Sequence, residues 1–179
     1  MKAQTIIIGT AVLGLGGYAF YKIFTLKQTA ESLDYVMSCK KISYSSGMVK
    51  FVCSLKLMNP TSNSLNLENC YVKILFQNSN FATINLLNRT LTIKPNGQTK
   101  IDNIPIEVDA MAMLPVLRTI GGAALDIVAA ILTFNTNKIA NSLENSKKQI
   151  IEQFIVNVVA QTNGVQLPTV TKQLQYESA

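Results

Sequence analysis

The residues best suited to covalent chemistry in this chain are three cysteines, and their setting argues for packing. Cys39, Cys53 and Cys70 are far apart and lack the C-x-x-C spacing of a redox or zinc site. An odd number cannot all pair within one chain, so they read as small apolar core side chains. The chain contains no histidine. That removes the usual general base, the usual triad partner and the commonest zinc ligand. A Ser or Cys nucleophile would have to be activated by Lys, and no recognisable motif places one. The acids form no pattern either: Glu68, Asp102, Glu107 and Asp109 fall in strand-like or turn-like stretches. There is no dinucleotide fingerprint, phosphate loop or calcium loop, and Gly121-Gly122 reads as close packing in an apolar helical pattern. The sequence therefore points away from an enzyme, with no cofactor and no metal expected. The net charge of +6 comes from scattered Lys and Arg with no basic cluster interleaved with aromatics. Nucleic acid is not an expected partner; a mild attraction to anionic lipid or an acidic protein is.

What must position the rest is clearest at the N-terminus. From Thr5 to Phe24 the chain reads TIIIGTAVLGLGGYAFYKIF, uncharged until Lys22. Twenty helical residues at ~1.5 Å each span ~30 Å, the hydrocarbon thickness of a bilayer. A cleavable secretory leader fits Lys2 and the apolar run as well, but the run is long and its end is bulky where a cleavage site wants small residues. Residues 1–27 are read as an uncleaved membrane anchor built on Ile6, Ile7, Ile8, Val12, Leu13 and Leu15. Tyr18, Phe20 and Tyr21 suit the headgroup level. Thr10, Gly14 and Gly17 share one face and would let a second helix approach closely, although Gly is common in membrane helices in any case. Lys2 before the run and Lys22 and Lys27 after it leave the orientation open.

Residues 28–179 are long enough for one domain with its own core. Val49, Phe51, Cys53, Leu55 and Leu57 alternate with a second set of residues, which predicts a strand with one face buried. A weaker strand over 36–44 precedes it, with a turn at Ser45-Ser46-Gly47. Leu65 and Leu67 alternate in one phase and Cys70, Val72, Ile74 and Phe76 in the other, predicting a β-bulge near Glu68-Asn69. Further strands are predicted over 81–87 and 101–108, with Pro105 restricting the latter to an edge or bulge. Lys94-Pro95-Asn96-Gly97 is a strong turn. Phe154, Val156, Val158 and Ala160 alternate before Asn163-Gly164, a hairpin signal. Strands recurring about every ten residues argue for an antiparallel β-sandwich.

Between these strands lies a helical insertion, 111–150. Residues 111–134 read as one α-helix with a thin polar stripe at Arg118, Gly122, Asp126 and Thr133. Leu114, Leu117, Leu125, Val128, Ile131 and Leu132 would form its apolar contact face. Arg118 and Asp126 each cost ~2.5–3.5 kcal/mol at a membrane centre, and about ten aliphatic and aromatic residues return ~0.3–0.6 each, so insertion is near balance. Crossing would separate the last strands from the sheets they complete, so a helix packed on the body is preferred. A second helix over 137–150 follows, with Ile139, Leu143 and Ile150 on one face and Glu144 spaced to pair with Lys148.

The stretch VKFVCSLKLMNPTSNSLNLENCYVKILF resembles the core of the LEA-2, or WHy, domain of late-embryogenesis-abundant proteins: an alternating strand ending in Asn59-Pro60-Thr61, then Leu65-x-Leu67. IKPNGQTKIDNIPIEV and FIVNVVAQTNGVQLPTVTKQLQY resemble that family's later strand and closing hairpin. Bacterial and bacteriophage members with a short N-terminal membrane segment are similar in layout. The segment 111–150 is longer and more apolar than the family's short helix, and the turn before Phe81 lacks the usual Gly. The resemblance implies a mainly β, LEA-2-like sandwich with no catalytic residues, associated with stress protection and apolar or membrane partners. The expectation is a non-enzymatic, single-pass membrane protein of a bacterial inner membrane or a virion membrane. It would contact lipid, other membrane or virion proteins, or further copies of itself. The alternative is a carrier of apolar ligands or lipids.

Overall fold

A computed structural model describes residues 32–86, 91–122, 124–162 and 164–178. The anchor residues Ile6, Ile7, Ile8, Thr10, Val12, Leu13, Gly14, Leu15, Gly17, Tyr18, Phe20 and Tyr21, and Asn163 of the expected hairpin, lie outside them. Among the described residues no helix is long and apolar enough to cross a membrane.

The chain is mainly β, in two sheets. Strand β1 (Asp34–Ser45) and strand β2 (Met48–Asn59) form a hairpin closed by Ser46 and Gly47. Both loop residues have positive φ, 53° and 79°, which a two-residue turn matched to strand twist requires. The predicted alternation in β2 holds: Val49, Phe51, Cys53, Leu55 and Leu57 are all buried. β3 (Leu65–Phe76) carries the predicted change of phase, with Asn69 at φ 45° and the register with its neighbour shifting between Glu68 and Tyr71. Asn tolerates that left-handed backbone better than most residues. β4 (Ser79–Asn85) and β5 (Leu91–Ile93) both pair with β3, and β6 (Gly97–Asp109) returns to pair with β2. β6 ends the sheet, the edge position that Pro105 allows. After the helices come β7 (Ile155–Thr162), β8 (Val165–Gln166), β9 (Val170–Gln173) and the short β10 (Gln175–Tyr176).

One sheet has the order β10-β1-β2-β6, with β10 parallel to β1. The other runs β4-β3-β7-β8, with β5 on β3 and β9 on β7. Their inner faces contribute to one hydrophobic cluster. Phe154 is its hub, with ring centroids 6.0 Å from Phe51, 6.3 Å from Phe76 and 4.9 Å from Phe81. Phe51 belongs to one sheet and Phe76 and Phe81 to the other, so a single ring touches both.

The insertion differs from its sequence reading. Residues 111–134 are not one helix. A 3-10 turn (Met111–Met113) leads into α1 (Leu114–Ile120), and α2 (Ala124–Leu132) starts afresh. Gly121 and Gly122 stand between them at φ 69° and 52°, in the left-handed region that ends helices. At ~1.5 Å per residue neither piece approaches ~30 Å. α3 (Thr136–Ile151) turns Ile139, Leu143 and Ile150 into the core as predicted. Glu144 pairs with Lys147, one turn position earlier than expected, while Lys148 lies 4.0 Å from Glu152. Spacings of three and four are both neighbours on a helix, so either partner is in reach.

Tyr35 on β1 pins the two sheets. Its buried hydroxyl donates to the Val156 carbonyl of β7 at 2.7 Å, with the Val170 carbonyl of β9 also against it. Burial pushes the phenol up to about 12. Tyr35→Phe removes the one hydroxyl hydrogen that bonds the Val156 carbonyl across the sheets, an expected loss of about 1–2 kcal/mol near neutral pH. The unfolded chain sheds the Tyr35 proton near pH 10 and the folded chain only near 12, so the wild type's advantage is complete below pH 10 and declines through the pH 10–12 window. Urea midpoints of wild type and variant, compared at neutral pH and again inside that window, should converge.

Candidate functional site

Two places stand out: the corner where the chain changes sheets, and the outer face of the helical insertion. The corner is Asn59-Pro60-Thr61, the motif singled out by its turn chemistry. Asn59 is buried at the end of β2. Its Nδ2 donates to the carbonyls of Asn63 at 2.7 Å and Lys94 at 3.3 Å. Its Oδ1 accepts from the Thr61 amide at 3.1 Å and the Thr61 hydroxyl at 2.7 Å. One side chain thus uses both donor hydrogens and both acceptor sites. Pro60 is exposed and fixes the backbone as the strand ends. The Asn96 amide donates to the Thr61 carbonyl at 2.8 Å, so the β2–β3 and β5–β6 connections are tied together. Gly97 closes that second turn where a Cβ would come 2.9 Å from the Lys94 carbonyl oxygen. The Asn59 side chain spends all four of its hydrogen bonds on neighbouring backbone and on Thr61, which is the work of a structural corner.

The helical face is different. The six residues expected to form one apolar contact surface are split by the glycine break. Leu117 and Ile131 are buried in the core, and Leu114 and Val128 are half-buried against it. Leu125 and Leu132 remain outside, 50% and 53% exposed. Leu125 and Leu132 are seven residues apart, on one side of α2, so the helix keeps an exposed apolar pair while Val128 leans against the body. Asp126, next to Leu125, lies 3.6 Å from Lys138 of α3, with both groups more than half exposed, a weak tie.

Phe134, two residues past the end of α2, is 82% exposed. The Asn135 amide donates to the Ala130 carbonyl at 2.9 Å and the Phe134 amide to the Ile131 carbonyl at 3.1 Å. This double closure places Phe134 at the left-handed position where Gly is usual, at φ 54°. Asn135 then caps α3, its Oδ1 accepting from the Lys138 amide at 3.1 Å. Sequence reasoning placed Phe134 inside the helix. The missed signal was Asn135: a helix cannot run through the cap of the next one.

The cysteines are buried, as expected, but two of them are joined. Cys39 and Cys53 stand opposite each other in β1 and β2 and form a disulfide, with Cα atoms 3.9 Å apart. Cys70 is a free, buried thiol, pushed up to about 11 by desolvation. Charged groups elsewhere make dispersed pairs, Lys50–Glu107 and Lys100–Asp102 at 2.9 Å each and Lys172–Asp34. Among the described residues no group of three or more Cys, Asp or Glu could hold a metal ion. Two apolar gaps, one bounded by Phe51, Phe81 and Phe154 and one by Leu33, Tyr35 and Leu167, are each about 10 Å³, no more than a water fills.

No protein-family profile matches the chain, and no curated protein matches it. Among solved structures it is similar to a protein from Archaeoglobus fulgidus at 10% identity, over 83% of this chain and 97% of that one, with a TM-score of 0.34. A likeness so distant bears on neither fold nor function.

Asn59→Ala strips four hydrogen bonds from a buried corner and is expected to cost about 2–4 kcal/mol, more than an exposed polar substitution by several-fold. A lowered urea midpoint with an unchanged slope would show it.

Proposed function

We propose that this chain is a non-enzymatic interaction module tethered to a membrane. In this reading residues 1–27 anchor an LEA-2/WHy-like antiparallel β-sandwich beside the bilayer of a bacterial envelope or a membrane-containing phage particle. The outer face of α2 meets lipid, another membrane or virion protein, or a further copy. The alternating strands and the Asn59-Pro60-Thr61 corner support the family reading, and the apolar run over 5–24 supports the tether.

The observation that carries the contact reading is Phe134. A bulky residue in the left-handed region costs on the order of 1 kcal/mol relative to Gly. Placing the same aromatic 82% in solvent gains nothing for the isolated body. The residue makes sense if something else covers it along with Leu125 and Leu132. The second reading, a carrier of apolar ligands, would need the narrow gaps near Phe154 or Tyr35 to widen by parting the sheets.

Phe134→Gly is expected to raise stability by about 0.5–1 kcal/mol while weakening the contact. Leu125→Glu with Leu132→Glu should cost about 1–3 kcal/mol together, because each side chain is half in solvent, and leave the fold in place. A photoreactive amino acid placed at 134 in the full-length chain, irradiated in native membranes, should yield adducts to lipid or protein. The two Leu→Glu changes should abolish those adducts. Water-quenched probe alone would remove the contact reading.

A further inference from the structure

We infer that the strand-rich body folds on the oxidising side of the membrane, in a periplasmic or external space, with the Lys2 end of the apolar run on the reducing side. The inference rests on the tether for its topology and on the Cys39–Cys53 bond for its direction. These two residues are directly opposed in the β1–β2 register, 14 apart in sequence, and both are completely buried on the inner face of the sheet.

The burial also dates the bond. No oxidant reaches either sulfur once the sheets have closed, and no reductant reaches the finished bond. It must form while the chain is still folding, so it records the compartment in which folding took place. A disulfide-bearing thiol oxidase supplies the chemistry. The Cys39 or Cys53 thiolate attacks the oxidase disulfide and releases one of its sulfurs as a thiol. The second cysteine thiolate then attacks the mixed disulfide. The chain loses two hydrogens and two electrons, and the oxidase gains them as a dithiol. Such bonds persist in the periplasm, at cell and virion surfaces and outside cells, and are rare in a cytosol held reduced. The lysines on both flanks of the anchor leave its direction undecided, and the disulfide supplies the missing information. Cys70, alone and buried on β3, has no partner for exchange and stays a thiol.

The test is a thiol count on the full-length chain, expressed with its own N-terminus in a bacterium and denatured at harvest, without reductant, in the presence of the alkylating agent. One alkylated cysteine per chain is expected, three after reduction, with tryptic peptides carrying Cys39 and Cys53 released as a reducible pair. Cys70→Ala should take the unreduced count from one to zero. Three alkylated cysteines on a chain that needs detergent would overturn the inference and leave the tether standing. One alkylated cysteine on a shortened, detergent-free chain would leave the oxidising compartment standing and overturn the tether. A Cys70→Ala chain that shows two thiols would mean that Cys70 is in the bond, and would overturn the assignment.

Discussion

A chain that builds two sheets around one core must cross between them, and each crossing exposes backbone groups that neither ladder satisfies. Unpaired and buried, such groups cost as much as the packing gains. Three crossings here are solved by single residues. Asn59 saturates its side chain on the β2–β3 connection and reaches the Lys94 carbonyl of the β5–β6 connection. Leu174, between β9 and β10, returns its amide to the Phe154 carbonyl at 2.9 Å. Tyr35 closes the gap from within, presenting a hydroxyl to carbonyls of β7 and β9. The apolar hub around Phe154 can exist because these polar groups let the chain arrive on both sides of it.

The fourth crossing, from β6 to β7, is made by the helical insertion, and it takes the opposite course. Instead of one residue meeting the polar demand, forty residues meet it with helices, which satisfy their own backbones. The cost is apolar surface on every side of segments too short to bury it all. Gly121 and Gly122 fold the pieces back so that Leu117, Ile127 and Ile131 reach the core. The same folding sends Leu125 and Leu132 outward, since a helix laid on a body can hide only one side.

Sequence pattern was most informative where its period was simple. Val49 to Leu57 and the phase change at Asn69 were legible because a strand's two faces differ by a single residue step. The helix break was hidden because Gly121-Gly122 sits inside an apolar run, where propensity alone does not distinguish a packed glycine from a left-handed one. The disulfide was hidden by register. Counting back from the Ser46-Gly47 turn sets Cys53 opposite Lys40. Only the irregularity between Cys39 and Lys41 slips the pairing by one and brings Cys39 across. A bulge of that kind leaves no mark in composition.

Phe134 and the Cys39–Cys53 bond act on different parts of the same problem. The bond and the Asn59 corner make the body rigid without reference to anything outside it. Phe134 does the reverse: it holds a backbone conformation that disfavours it and an exposure that gives it nothing in return. A body already braced by buried hydrogen bonds and a covalent link can carry about 1 kcal/mol of local strain without loss of its fold. Stability concentrated in the strands is what leaves the insertion free to present a surface that only a partner would make favourable.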